Sequence, residues 1–342
     1  MIKVVFASLC GMSFLVACGG GNGSTASPSS SAPTAESWQQ TSGPTAARIN
    51  SLAIVGGTQV IFAGTDGGLF RSTDGSGSWS GVANGFPALP VSSLAVDSNS
   101  QTIYAGTIIG VYKSTSGGDT WSNASNGLTD TNVICLVVAP TNNQIIYGGT
   151  VTGGLFKSIN GGNSWEPINN GFVPLTAVMS LAVDPTNSQI IYAGTHSGEV
   201  VKSVNGGASW NTVYKGLTTD SYVWSLAIDP SSHQTVYAAT NGDGVFKSTN
   251  AGLSWSATGK LADMWVLSLL IDPAHPQTVY AGTGYKGLFK SIDGGSTWSA
   301  IDNGPTFIAV WSIAIDMTQP RTIYAGTEDG KVLKGVISEV KH

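Results

Sequence analysis

Charge is scarce in this sequence. Asp, Glu, Lys and Arg make up 10% of its 342 residues, against roughly 25% in ordinary soluble domains. Glu appears five times, which excludes a helix bundle or a coiled coil, since those lean on Glu, Lys and Arg. With only three Arg and a net charge of −5, the chain has no basic footprint for a phosphate backbone, and nucleic acid is excluded as a partner. Cysteine is nearly absent, with Cys10, Cys18 and Cys135 alone. No CxxC pair, phosphate-binding loop or nucleophile elbow occurs, and the four His show no metal-ligand spacing. No metal and no cofactor are expected. What abounds is glycine, 45 residues or about 13%, near twice the usual share of roughly 7%. Hydrophobic residues still reach 41%, enough for a sizeable core, so the composition points to an all-β chain rich in turns.

The first 17 residues, MIKVVFASLCGMSFLVA, carry one positive charge and then an apolar stretch too short to span a bilayer comfortably. They read as a secretory signal peptide. Leu15-Val16-Ala17-Cys18 resembles the lipobox of bacterial lipoproteins, which implies a mature chain that begins at a lipidated Cys18. Residues 19–36, GGGNGSTASPSSSAPTAE, form a flexible tether with a reach of roughly 20–25 Å. Gly19 rather than Asp follows the cysteine, which favours the outer membrane. Cys135 is then alone in the mature chain, within the apolar run ICLVVA, and reads as a core thiol. The expected organisation is a signal peptide over 1–17, a lipidated cysteine and tether over 18–36, and one folded domain over 37–342.

That domain is one unit written seven times. IFAGT at 61 returns as IYAGT, IYGGT, IYAGT, VYAAT, VYAGT and IYAGT, with Thr65, Thr107, Thr150, Thr195, Thr240, Thr283 and Thr327 spaced 42 to 45 residues apart. An apolar strand precedes each copy (SLAIV, SLAVD, CLVVA, SLAVD, SLAID, SLLID, SIAID) and a third follows it (LFRS, VYKS, LFKS, VVKS, VFKS, LFKS, VLKG). A Trp then opens a fourth at Trp79, Trp121, Trp165, Trp210, Trp255 and Trp298. Four short strands at this period, without helical periodicity, describe a β-propeller blade. The seventh Trp is missing after VLKG and stands at the other end of the chain, as Trp38. The fold expected is therefore a seven-bladed propeller of four-stranded antiparallel blades. Its last blade takes three strands from 312–336 and the fourth from about 37–42, which removes the free sheet edges. A monomer is expected.

The segments between third and fourth strands read STDGSGSW, STSGGDTW, SINGGNSW, SVNGGASW, STNAGLSW and SIDGGSTW. They resemble the Asp box of bacterial neuraminidase repeats, and the resemblance covers residues 37–336. The third position, Asp74, Ser116, Asn160, Asn205, Asn250 or Asp293, should accept backbone N–H groups of its own turn, Ser116 only weakly. The Trp should fill the gap between blades. In overall pattern the chain is similar to single-domain propellers of the photosystem II assembly factor type, and similar repeats build sialidases, xyloglucanases and sortilin-type receptors. The resemblance implies that the boxes lie on the face opposite the binding site.

Residues that recur in every blade serve the blade. Lys113, Lys157, Lys202, Lys247, Lys290 and Lys334, with Arg71 in register, read as structural, and so do Asp97, Asp184, Asp229, Asp272 and Asp316. The varied loops joining second to third strands, and those crossing between blades, share one face. They nominate a ligand face of Asp66, His196, Tyr222, Trp224, Asp243, Trp265, Tyr285, Lys286, Phe307, Trp311, Glu328 and Asp329, with an aromatic cluster across blades five to seven. Catalysis is not expected. The resemblance to sialidases implies three convergent Arg, and Arg48, Arg71 and Arg321 do not converge; the xyloglucanase type works in a cleft between two propellers, and this chain has one. A carboxylate pair such as Asp66 and Glu328, or Asp243 and Asp263, keeps glycoside hydrolysis open. The sequence thus points to a membrane-anchored, non-enzymatic propeller that binds a protein or other ligand as assembly factor or surface adaptor. Glycan binding or cleavage, and a purely structural role, are the alternatives.

Overall fold

The inner strands are runs of six or seven residues, most of which, such as Val91–Asp97 and Val178–Val183, are buried from end to end. The computed structural model describes residues 34–338 apart from 42, 45–46, 98–99, 173–175, 215, 218–220, 302–303 and 319. These residues make seven four-stranded antiparallel sheets. Six of them run in chain order from an inner strand to an outer strand of two exposed residues, as in Val91–Asp97, Thr102–Thr107, Gly110–Ser114 and Ser122–Asn123. One short 3-10 turn, Gly259–Leu261, is the only helical element among the described residues.

The seventh sheet closes the ring as expected. Its order is Val310–Asp316, Thr322–Thr327, Val332–Ser338 and then Thr34–Gln40. Trp38 stands opposite Gly335, is 9% exposed, and joins the core between blades six and seven with Trp298 and Ile301. A side chain at position 335 would place its Cβ 2.6 Å from the indole. The closing strand differs from the expected span at both ends, and residues 34–36 belong to it rather than to the tether. Edge pairing uses backbone groups, so a linker-like sequence does not prevent it.

Two layers of contacts repeat from blade to blade. In the inner layer, one side chain per blade bonds to the next inner strand. Ser51, Ser93, Ser225 and Ser312 accept N–H groups of Leu94, Leu136, Leu269 and Leu52 at 2.9–3.2 Å. Ser180 and Ser268 donate to Val223 and Val310 carbonyls at 3.1 Å. Cys135 holds the serine position in blade three and donates to the Val178 carbonyl at 3.3 Å, which accounts for a buried thiol in an apolar strand. The glycine of the AGT motif is needed here: a Cβ on Gly64, Gly149 or Gly194 would lie 2.6 Å from the Val of the following blade.

In the outer layer, a second-strand Tyr and a third-strand Lys reach one carbonyl in the next blade's box turn. Tyr104 and Lys113 both donate to the Gly161 carbonyl, at 3.0 and 2.7 Å, and Tyr237 and Lys247 do so to Gly294 at 3.0 and 2.8 Å. Burial pushes the Tyr104, Tyr147 and Tyr324 phenols up to about 12. It also pulls the Lys113, Lys157 and Lys202 ammonium groups down. Blade one is the exception. Phe62 and Arg71 replace Tyr and Lys, and Arg71 turns to Asp119 at 2.6 Å, leaving a shallow surface pocket lined by Arg71, Ser80, Asn84 and Asp119.

The box turns hold themselves. Asn160 accepts the Ser164 N–H and Asp74 the Ser78 N–H, both at 2.9 Å. Ser116 accepts the Thr120 N–H at 3.0 Å. The Trp indoles of blades three, four and five donate to carbonyls of the preceding blade at 2.7 Å.

Candidate ligand-binding face

The two varied loop sets are laced together within each blade. The N–H of the first residue after the second strand donates to the residue ahead of the inner strand, as in Asp66 to Arg48, His196 to Ala177, Asn241 to Tyr222, Gly284 to Trp265 and Glu328 to Ala309, at 2.8–3.2 Å. Both sets therefore share one face, the face opposite the box turns.

At the centre of that face the inner strands narrow the channel. Each carries a bulge just after its first paired residue. The bulged residue is Asn50, Ser92, Ile134, Met179, Trp224, Leu267 or Trp311 in blades one to seven. A bulge turns its extra side chain out of the alternating pattern of the strand, and here that direction is the axis. Ile134, Met179, Trp224, Leu267 and Trp311 consequently meet in one apolar cluster that spans blades three to seven, with Tyr222, Ala177, Ala309 and Val151 around it. Trp224 packs edge-on against Trp311 at 6.4 Å and Tyr222 at 5.5 Å. His196 stacks on Tyr222 at 3.7 Å, and burial lowers its pKa, so the ring is neutral at pH 7.

The polar half of the mouth lies on blades seven and one. The Arg48 guanidinium sits 4.6 Å over the Trp311 ring, pairs with Asp66 at 3.1 Å and donates to Asn50 at 2.7 Å. Asn50 in turn donates to Asp66 at 2.9 Å and to the Val91 carbonyl at 3.0 Å. Glu328 accepts the Trp311 indole N–H. Two buried polar atoms in this ring have no hydrogen-bond partner, the Trp224 indole N–H and the Ser92 hydroxyl.

Outside the mouth, blade six presents an exposed aromatic group. Trp265 and Tyr285 are 52% and 46% exposed, with the Tyr285 hydroxyl 3.4 Å from the Asp263 carbonyl and Lys286 5.9 Å from the Tyr285 ring. The neighbouring loop carries Phe307, 91% exposed, and is tied to this one by Gly287 N–H to Ile308 and Leu288 N–H to Pro305.

The nominated residues thus fall into two groups. Asp66, His196, Tyr222, Trp224, Trp311 and Glu328 converge on the mouth, while Trp265, Tyr285, Lys286 and Phe307 form the outer patch. Asp243 takes a hydrogen bond from Ser221. Asp329 is engaged by Lys331 at 2.7 Å and accepts from the Thr327 hydroxyl at 2.6 Å. Burial acts to raise its pKa, and those two bonds outweigh it. Cys18 lies outside the described residues.

Sequence reasoning nominated Trp224 and Trp311 but missed Arg48 and the bulge residues Asn50, Ser92, Ile134, Met179 and Leu267, as well as Ile108 and Ile109, which are exposed at the tip of blade two. The available signal was positional: the residue just ahead of each constant Ser or Cys of the inner strand varies from blade to blade while its neighbours do not. Arg321 lies apart from this site. It is buried between blades six and seven, paired with Asp272 and 3.0 Å from His275. Among the described residues no group of three or more His, Cys, Asp or Glu could hold a metal ion.

A single closed seven-bladed propeller with an aromatic channel mouth defines the class. Residues 8–223 match the DUF6242 beta propeller domain, and the chain belongs to that family. No curated protein sequence matches. Among solved structures it is similar to an ancestral GH74 enzyme, at 26% identity over 69% of this chain and 34% of that one, with a TM-score of 0.61. It is also similar to the GH74 xyloglucanase of Xanthomonas campestris, at 17% identity over 87% and 53%, with a TM-score of 0.71. A third likeness is to YCF48 bound to D1 peptide, at 17% identity over 91% and 97%, with a TM-score of 0.67. The chain spans about a third and about half of the two GH74 enzymes, and nearly all of YCF48.

Proposed function

We propose that this protein is a non-enzymatic binding propeller, held at the outer membrane by a lipid on Cys18, that engages a protein or other extracytoplasmic ligand through its loop face as an assembly factor or surface adaptor. The observation that carries the binding role is the exposed Trp265, Tyr285 and Phe307 patch beside the aromatic mouth. Large apolar side chains grouped on one face mark interaction sites. A propeller of this fold, YCF48, is known bound to a peptide, which supports a protein ligand without identifying one. The box turns on the opposite face are self-satisfied and repeat with the blade, consistent with an Asp-box role that is structural.

The test is affinity capture from envelope membranes with the full chain, alongside Trp265→Ala/Tyr285→Ala. A specific protein retained by the wild type and lost from the variant supports the proposal. Release of reducing sugar from envelope polysaccharide, with no protein retained, overturns it. Anchoring has its own test: Cys18→Ala should leave the protein soluble or unprocessed, and unchanged membrane association contradicts the anchor.

A further inference from the structure

We propose that the exposed patch on blade six takes a basic segment of a partner protein, seating a lysine or arginine side chain on the Trp265 indole with its charge against Asp263. This rests on the loop face being the ligand face, and it names the chemistry of the protein engaged there.

The indole is held open by its neighbours. Trp265 ends the crossing from blade five to blade six, where its backbone bridges Asn241 and its carbonyl accepts the Gly284 N–H at 2.8 Å. A Cβ on Gly284 would lie 3.2 Å from the Trp265 Cβ, and one on Gly242 would lie 3.9 Å from the indole Nε1. Glycine at both positions leaves neither loop a side chain there to cover the ring, which is 52% exposed. Lys286 faces the Tyr285 ring at 5.9 Å, and no described cation lies over Trp265. Two residues before it, Asp263 is exposed, and its carbonyl lies 3.4 Å from the Tyr285 hydroxyl, which puts its side chain at the margin of the same patch. Blade seven shows the full arrangement once: the Arg48 guanidinium stacks on Trp311 and pairs with Asp66 at 3.1 Å. Blade six offers an indole and a carboxylate without the cation, and a partner's side chain supplies it.

The charge of the surroundings selects the same partner. Between residues 196 and 309 the described side chains of the loop-face connections carry Glu199, Asp243 and Asp263 against Lys286 alone. Counted from the sequence, Asp220 and Asp302 offset Lys215 and Lys260 in the same connections, so the negative excess stands. An acidic segment would meet these carboxylates, and an uncharged apolar one would strip water from them without replacing it. A basic segment satisfies them, and its apolar residues find Phe307, 91% exposed, on the adjoining loop.

The experiment titrates the full chain by calorimetry with three peptides of about 12 residues, identical in leucine and glycine content, that carry Arg, Gln or Glu at the same positions. The Arg peptide should bind with Kd below about 1 mM and about tenfold more tightly than the Gln peptide, with the Glu peptide weakest. That advantage should vanish in about 1 M salt, where the Debye length is about 3 Å. Asp263→Asn keeps the shape and a residue type that tolerates the positive φ of 66°, and should weaken the Arg peptide about threefold. Lys286→Ala removes the competing cation and should tighten it by about as much, while Trp265→Ala should weaken it about tenfold. No binding of the Arg peptide, equal binding of all three, or binding that neither Asp263→Asn nor Lys286→Ala moves overturns the inference. If membrane capture depends on Trp265 and Tyr285 but is unmoved by Asp263→Asn and Lys286→Ala, the basic segment falls and the loop face stands; if capture depends on none of these residues, both fall.

Discussion

Ser76→Gly should stabilise this protein, although it removes a side chain from a fully buried position. Five of the six box turns carry glycine at the fifth position, with φ between 82° and 92° at Gly118, Gly162, Gly207, Gly252 and Gly295. Ser76 holds the same conformation at φ 78° with a Cβ that disfavours it, at a cost of about 1–2 kcal/mol. Its hydroxyl is buried with no hydrogen-bond partner, which costs about 1–3 kcal/mol. Glycine returns about 0.5–1 kcal/mol of this as backbone entropy in the unfolded chain. The turn's own bonds survive the change, since the residue-76 N–H donates to Ser72 Oγ at 2.9 Å from the backbone. The net expectation is a gain of about 1–3 kcal/mol, or roughly 2–6 °C in melting temperature for a domain of this size. Calorimetry and urea midpoints at matched protein concentration would measure it. An unchanged or lower midpoint in both refutes the view that residue 76 is strained and unsatisfied.

Other expectations follow from the same contacts. Deleting residues 34–40 should lower the melting temperature far more than deleting 19–33, because the former removes the closing strand with Trp38 and opens a sheet edge; equal drops contradict strand closure. Tyr147→Phe removes the phenol that reaches the Ser188 and Gly206 carbonyls and should cost about 0.5–1.5 kcal/mol, read as a lower urea midpoint. The buried phenols make stability sensitive to alkali. Their folded pKa values lie above the unfolded value of about 10, so the native state keeps its protons longer. Stability is fully present below pH 10 and is lost as pH rises through about 12. Absorbance at 295 nm should show these phenols ionising only together with unfolding, and early, independent ionisation rules this out.

The fold was legible because every blade repeats the same solution to the same contact. The AGT glycine, the inner-strand Ser and the Tyr–Lys pair each answer to a neighbouring blade, so their periodicity announces the ring, and the displaced Trp38 announces how it closes. Cys135 also read correctly as core, since it takes the place of a serine in that series. The site was only half legible for the same reason. Blade-specific residues have no period to betray them, and whether Trp224 lines a floor or stands free depends on a bulge that no local pattern specifies. Trp265 and Phe307 were found as varied aromatics, while Arg48 passed unnoticed, because its role depends on Trp311, 263 positions away in the chain and brought beside it only by ring closure. The Asp329 pairing with Lys331, two residues on, is a local contact that the nomination of varied loop residues did not consider.

The central proposal is that ligand binds on the loop face and not on the box face, and a matched pair of surface variants tests it most directly. Trp265→Ala/Tyr285→Ala alters the loop face. Ile159→Ser/Ile292→Ser alters side chains of comparable exposure, 70% and 51%, on the box turns. Capture from envelope membranes should be lost with the first pair and kept with the second. Capture kept with the first pair and lost with the second would contradict the proposal and move the binding surface to the opposite side of the ring.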